Sequence, residues 1–208
     1  MRCPHCQAEL DTPLACGACS SVFAPAQNAT PFELFGLPAA FVLDRTDLRK
    51  RHARFGRLVH PDFHATRSPE ALALAEAASA RLNAAYAVLA EDAARADWLV
   101  RELGGPDAEK ERELPRAFLV EVLEWNEELE ALAEPGARDA GARLDALTNE
   151  LEARRAQTLA ATQRLLEPLP PRGAPNLARA RQELNALRYL DRALADLEAL
   201  RSGNPARR

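Results

Sequence analysis

Aromatic residues are scarce in this chain, at 5% of 208 positions, and β-branched residues are sparse as well. These are the residue types that suit a pleated, half-buried strand, so a β-sheet fold lacks its usual material. Cysteine is missing after Cys19, which confines any thiol or thiolate chemistry to the N-terminal segment. Arg, Glu or Asp interrupts every apolar run before the roughly 20 residues needed to span a bilayer. An excess of positive charge is lacking too, with 27 Lys and Arg against 31 Asp and Glu and a formal net charge of -4. The net charge therefore gives no support to a nucleic-acid partner. The N-terminus begins Met1-Arg2-Cys3 without an apolar signal segment, so the cytoplasm is the expected compartment.

What is present points to helices. Hydrophobic residues make up 47% and charged residues 28%, a composition with enough apolar material for a core. Ala, Leu, Arg and Glu dominate from Leu48 onward, and these lose least on entering a helix. The expected fold is all-α after the N-terminal segment, and the length alone allows one large domain or two small ones.

Punctuation marks the elements. Thr30-Pro31-Phe32-Glu33 opens a short helix, with Thr30 as cap, Pro31 at the first helical position and Glu33 completing a capping box. Gly36 and Pro38 stop it. A second helix is expected from Asp44 or Thr46 to Val59, with Leu48, His52, Phe55 and Val59 sharing one face, and Pro61 ends it. His52 on that stripe reads as a partly buried packing residue, and Gly56 as a local weakness. A third helix begins at Ser68-Pro69-Glu70 and places Leu72, Ala75, Ser79, Leu82, Tyr86 and Leu89 on one stripe. Trp98 and Leu99 belong to a shorter helix. The polar run 104–113 interrupts the pattern and suggests a domain boundary. Three long helices follow at roughly 115–133, 137–167 and 175–201, separated by Pro135-Gly136 and by the run 168–173, which cannot continue a helix. Short connections imply an antiparallel three-helix bundle. The expected domains are thus 1–24, 30–103 and 114–201, with Pro25 to Ala29 as linker.

Residues 1–24 carry two C-x-x-C pairs, Cys3-Pro4-His5-Cys6 and Cys16-Gly17-Ala18-Cys19. Four thiolates at this spacing complete the tetrahedral shell of a structural zinc site and leave no open position for catalysis. Zinc would then hold together a segment too small to fold alone. Two rivals remain open: iron in a rubredoxin-like site, because tetrathiolate geometry suits both metals, and a thiol oxidoreductase using Cys3 and Cys6, which would need an α/β domain that this segment has no room to build.

His60-Pro61-Asp62 stands between the second and third helices. From Arg45 to Arg57 the basic residues Arg45, Arg49, Lys50, Arg51, Arg54 and Arg57 face one acid, Asp47, a local charge of +5 in an acidic chain. Such asymmetry suggests an acidic partner surface. A helical hairpin, a His-Pro-Asp loop and a basic second helix together resemble the J-domain family. The segment Phe32-Glu33-Leu34-Phe35-Gly36-Leu37-Pro38 is similar to the opening of the iron-sulfur co-chaperone family HscB. The likeness continues through Leu82-Asn83-Ala84-Ala85-Tyr86, Arg95-Ala96-Asp97-Trp98-Leu99, Ala117-Phe118-Leu119 and Leu187-Arg188-Tyr189-Leu190-Asp191, covering about 30–201.

The resemblance implies a non-enzymatic adaptor. His60, Pro61 and Asp62, with Arg49, Lys50, Arg51, Arg54 and Arg57, would engage a DnaK-class (HscA-like) ATPase chaperone and stimulate it. The C-terminal bundle would bind an IscU-like scaffold. A general protein-folding J-protein acting on unfolded clients is the alternative. The cysteine module, a structural zinc unit of its own, is expected to be dispensable for stimulation.

The bundle also points to a client surface by itself. At 100 degrees per residue, Phe118, Val122, Trp125, Leu129 and Leu132 share one core direction. Leu119, Val120 and Leu123 fall outside it among Glu124, Glu127 and Glu130, and apolar residues in an acidic surround suggest a partner site. In the last helix Leu184, Leu187, Leu190, Leu194 and Leu197 form the stripe, and Tyr189 points away from it. The expected scaffold-binding set is Leu119, Val120, Leu123, Glu124, Glu127 and Tyr189, and Ala131 stands where the family often has a further acid.

Overall fold

The computed structural model describes residues 1–24, 26–65, 67–134 and 139–202. The expected breaks at Pro25, Pro135 and Gly136 lie outside the described residues. The chain divides into two compact units, Met1–Arg95 and Ala96–Arg208.

The first unit opens with two turns of the same design. Gln7 N–H donates to the Cys3 carbonyl at 3.0 Å and Cys3 N–H to the Ala8 carbonyl at 2.8 Å; Ser20 and Ser21 repeat this around Cys16, each at 2.9 Å. The residue after each pair, Gln7 at φ 62 and Ser20 at φ 55, is left-handed, a conformation that costs a non-glycine residue energy unless its surroundings impose it. Isolated bridges join Arg2 to Glu9, Thr12 to Ala15 and Ala15 to Val22, and among the described residues no helix forms before residue 31.

Helix α1 (Pro31–Leu34) carries the expected capping box, and Gly36 leaves it at φ +61. A side chain at Gly36 would press on the Asp11 carbonyl oxygen at 2.6 Å, so glycine is needed there for both reasons. In α2 (Arg45–Leu58) the Asp44 side chain accepts from the Thr46 and Asp47 N–H groups, which satisfies orphan donors of the first turn. A 3-10 turn (Pro61–Phe63) leads to α3 (Pro69–Ala90), capped by Ser68. The α3 stripe runs through Ala75, Ala78, Leu82, Ala85 and Leu89, slightly rotated from the expected one, because small alanines let α3 approach α1 and α2 closely. Tyr86 moves to the flank and stacks on His52, ring centroids 4.0 Å apart.

The second unit is an antiparallel bundle of α5 (Arg116–Ala133), α6 (Ala140–Leu166) and α7 (Asn176–Arg201). Cross-helix pairs give the direction: Glu121 with Arg154, Trp125 with Glu150 and Glu128 with Arg143 between α5 and α6, and Asp145 with Arg201 and Asp191 with Arg155 between α6 and α7. Phe118, Trp125, Leu129, Leu147, Leu151, Leu190 and Leu197 fill the core. Thr158 and Thr162 are fully buried in α6, each hydroxyl donating to a carbonyl one turn back, which satisfies groups that would otherwise be costly.

The break between units falls inside α4 (Asp92–Glu102) and not at the polar run 104–113 that composition suggests. Arg95, 3% exposed, donates to the Phe41 and Leu89 carbonyls and pairs with Asp92. Asp97 receives the fully buried Arg181 at 2.5 Å and Arg188 at 3.0 Å, both from α7, and Arg181 also holds the Pro106 carbonyl at 2.9 Å. The polar run is thereby anchored to α7, with Asn185 donating to the Glu111 and Glu113 carbonyls.

Candidate functional site

His60 lies where α2 ends. Its Nδ1 accepts from the Asp62 N–H at 3.3 Å and lies 3.7 Å from Asp62 Oδ2, and the ring meets Phe63 edge-on at a centroid distance of 5.9 Å. His60 and Asp62 are exposed, and Phe63 is 66% exposed. His64 is buried, and its Nε2 donates to the Leu58 carbonyl at 3.0 Å. The loop therefore presents His60, Pro61, Asp62 and Phe63 outward from a fixed root.

The basic residues of α2 separate by direction. Lys50, Arg54 and Arg57 are exposed and fall within about 60 degrees of one another, opposite buried Leu48 and Phe55. Their line leads to His60. Arg49 is exposed and bonds the Arg45 carbonyl. Arg51 is half-buried and committed inward, to Asp47 at 2.6 Å and to the Phe35 carbonyl at 3.1 Å. Arg54 pairs at 3.3 Å with Asp11 of the cysteine segment.

On α5, Leu119, Val120 and Leu123 are 46%, 61% and 65% exposed, and Glu124 and Glu127 are exposed beside them. Tyr189 differs from the expectation of a side chain pointing free of the core. It is half-buried against Phe118 and Trp125, and its hydroxyl donates to Asn126 Oδ1 at 2.8 Å. A tyrosine is long enough to lie across the α5–α7 seam, which a helical projection does not register. Burial pushes its phenol pKa upward against that hydrogen bond. Asn126 is one helical step from Leu123, so Tyr189 flanks the apolar strip.

All four cysteines are free, and their sulfurs lie within 4.8 Å of one another. Cys3 and Cys19 are 3.7 Å apart, Cys6 and Cys16 3.6 Å. Ligands about 2.3 Å from a central ion at tetrahedral angles would sit about 3.8 Å apart, so the donors fit a tetrathiolate metal centre. Without a metal the thiols are unequally disposed to ionise. Hydrogen bonds from Ser21 lower Cys19 to about 6. The Ala8 N–H favours the Cys6 thiolate, yet burial and the neighbouring sulfurs push that group up to about 12. A divalent cation would remove this conflict by taking all four as thiolates.

Residues 114–198 match the family model described as the HSCB C-terminal oligomerisation domain. Co-chaperone protein HscB homologues of Burkholderia thailandensis and Burkholderia mallei are each 34% identical over 170 residues, covering 81% of this chain and 91% of theirs. The chain belongs to the HscB co-chaperone family. The chaperone HscB from Vibrio cholerae superposes with a TM-score of 0.71 at 27% identity, over 84% of this chain and 99% of its own. Human co-chaperone HscB gives 0.76 at 25% identity, over 97% and 98%, so that similarity takes in most of residues 1–24 as well. The HscB C-terminal match spans α5 to α7, the helices that carry the apolar strip.

Several residues around these surfaces escape a reading of the sequence. Phe63 follows the His-Pro-Asp triplet and belongs to no stripe, which is a visible signal. Asp11, Thr12, Ser20 and Arg67 carry no such signal, because their placement depends on long-range packing of the cysteine segment. Among the described residues no helix is long and apolar enough to cross a membrane.

Proposed function

We propose that the protein is an adaptor of iron-sulfur cluster assembly that stimulates a DnaK-class (HscA-like) ATPase and delivers an IscU-like scaffold to it. The observation that carries this reading is the His60-Pro61-Asp62 turn, exposed at the end of a helical hairpin with Lys50, Arg54 and Arg57 in line behind it. Positive charge along α2 would speed encounter with an acidic chaperone surface, and the loop would make the short-range contact. The strip of Leu119, Val120 and Leu123, with Glu124 and Glu127 at its border and Tyr189 at its flank, would receive the scaffold. Exposed apolar side chains ringed by charge are the pattern of an interface centre.

Nothing in this mechanism requires the adaptor to catalyse a reaction. Holding scaffold and chaperone on one molecule turns a second encounter into an intramolecular one. Cys3, Cys6, Cys16 and Cys19 would hold zinc, which supplies a fixed tetrahedral node and no open coordination position. Free thiol ligands suit a reducing compartment such as the cytoplasm. The test is steady-state ATPase of a DnaK-class chaperone with the adaptor, with and without an IscU-like scaffold. Stimulation that rises further with folded scaffold supports the reading. Stimulation enhanced only by an unfolded polypeptide would favour a general folding J-protein.

A further inference from the structure

We propose that the cysteine module is a metal-dependent brace for the His-Pro-Asp loop, with Arg67, Thr12 and Asp11 as positioning residues. The brace has two arms. In the first, the Arg67 Nη1 donates to the Ser20 carbonyl at 3.1 Å. Ser20 closes the second cysteine turn, its N–H bonded to the Cys16 carbonyl and its φ held at 55. Arg67 N–H in turn donates to the His64 carbonyl at 3.1 Å, and the His64 ring is fixed to Leu58. The loop that presents His60 to Phe63 is thus anchored to α2 at His64 and to the metal turn at Arg67.

The second arm reaches α1 and α2. Thr12, 2% exposed, donates its hydroxyl to the Leu34 carbonyl at 2.8 Å and accepts from the Leu14 N–H at 3.3 Å. Asp11 pairs with Arg54 on the basic face, and its carbonyl lies against Gly36, which could not carry a side chain there. Residues 1–24 are accordingly not an appendage beyond a linker. They are docked within the unit Met1–Arg95.

Metal enters because the described residues of the module form neither helix nor strand. It consists of turns and isolated bridges, and segments this small depend on a metal or disulfides for their conformation. Four ligands on one ion would hold Gln7 and Ser20 in their left-handed turns, and that would keep the Ser20 carbonyl and Thr12 where the hairpin meets them. Releasing the metal frees both arms, so the loop must be ordered when the chaperone binds, and only the fraction already in the competent form binds at full strength. The signature is a rise in the concentration of adaptor needed for half-maximal ATPase stimulation, with the plateau unchanged. This reverses the expectation from sequence that the module is dispensable.

The inference rests on the proposed chaperone role for its activity readout and stands apart from it for its structural one. Full-length protein is compared zinc-loaded, stripped by a chelator under reducing conditions, and reloaded with zinc, by hydrogen exchange and by ATPase titration. Stripping should speed amide exchange across residues 60–67 as well as 1–24, raise the half-maximal concentration about fivefold or more, and be reversed by zinc. If the stripped unit unfolds altogether, the variants Arg67→Ala and Thr12→Val decide with metal bound. Each should speed loop exchange and raise the half-maximal concentration while retaining full zinc content. Exchange that changes only within 1–24, or variants whose loop exchange matches the parent, would overturn the brace. Absence of stimulation by any form, with loop exchange responding to zinc, would leave the brace standing and remove the chaperone role.

Discussion

At the scale of single residues, His60 is a side chain whose proposed role lies with a partner and whose contacts contribute little to its own fold. Its contacts are local to a surface turn, and surface substitutions of this kind usually shift stability by less than about 0.5 kcal/mol. His60→Gln should abolish ATPase stimulation, leave scaffold affinity unchanged in calorimetric titration, and melt with the parent. An equally active mutant would remove the loop from the mechanism. Gly56 makes the opposite case. A methyl group there meets nothing within 4 Å, and Gly56 lies on neither the buried stripe nor the line of Lys50, Arg54 and Arg57. Gly56→Ala should raise stability by up to about 1 kcal/mol with stimulation intact, as followed by urea unfolding. The partial burial of His52 was legible from its place on the apolar stripe, since helical periodicity alone assigns it. The half-burial of Tyr189 was not, because it depends on α5 lying alongside α7.

At the scale of elements, the N-terminal caps of α1, α2 and α3 follow from short-range chemistry, whereas α5, α6 and α7 start without a side-chain cap. Thr30 and Ser68 cap where expected, and Asp44, one of the two starts left open for α2, turns out to be its cap, because an N-cap bond reaches only two or three residues along the chain. Helix α5 then carries two faces with different consequences. Replacing Leu119, Val120 and Leu123 together with Ala should lower scaffold affinity at least about tenfold, or about 1.4 kcal/mol, without lowering the melting temperature. Leu129→Ala, on the buried face, should instead cost about 2 to 5 kcal/mol of stability. Calorimetric titration beside thermal melts separates the faces, and unchanged affinity in the triple variant would sink the strip.

The seam between α5 and α6 has its own pH dependence. Arg143 reaches Glu128 through two bonds of 2.8 Å, and this hydrogen bonding, with the attraction of the guanidinium, holds the Glu128 carboxyl below the usual range. A depressed carboxylate adds stability above its unfolded pKa and loses it as pH falls through the folded one. Glu128→Gln should therefore melt lower than the parent at pH 7, and the gap should close as pH drops below about 4. Both groups are about a third exposed, so the gap should stay under about 1 kcal/mol. A gap that persists at pH 3 would mean that packing, not charge, links these positions.

At the scale of the whole molecule, the chain forms two compact units. All four cysteines of the candidate metal site belong to Met1–Arg95, and the core of Ala96–Arg208 contains none of them. Scanning calorimetry should accordingly show that a chelator lowers the melting of the first unit and leaves that of the second in place, with zinc restoring the difference. Binding to the folded form alone stabilises it by mass action. A chelator that moved both transitions equally would show that the metal governs the entire chain.

The sequence by itself determined the helical class, the approximate helix ends, the basic excess ahead of His60-Pro61-Asp62, the tetracysteine spacing and the apolar strip among acids on α5. Each depends on bonds or spacings within a few turns of the chain, where residue type and distance along the sequence fix the geometry. Only the tertiary structure decided the rest. Asp97 collects Arg181 and Arg188 across more than eighty residues and moves the break between units into α4. Thr12 meets Leu34, and Arg67 meets Ser20, across stretches of 22 and 47 residues within the first unit. No local pattern announces such contacts. Their partners are chosen by which surfaces bury one another, and that choice is made by the folded chain as a whole.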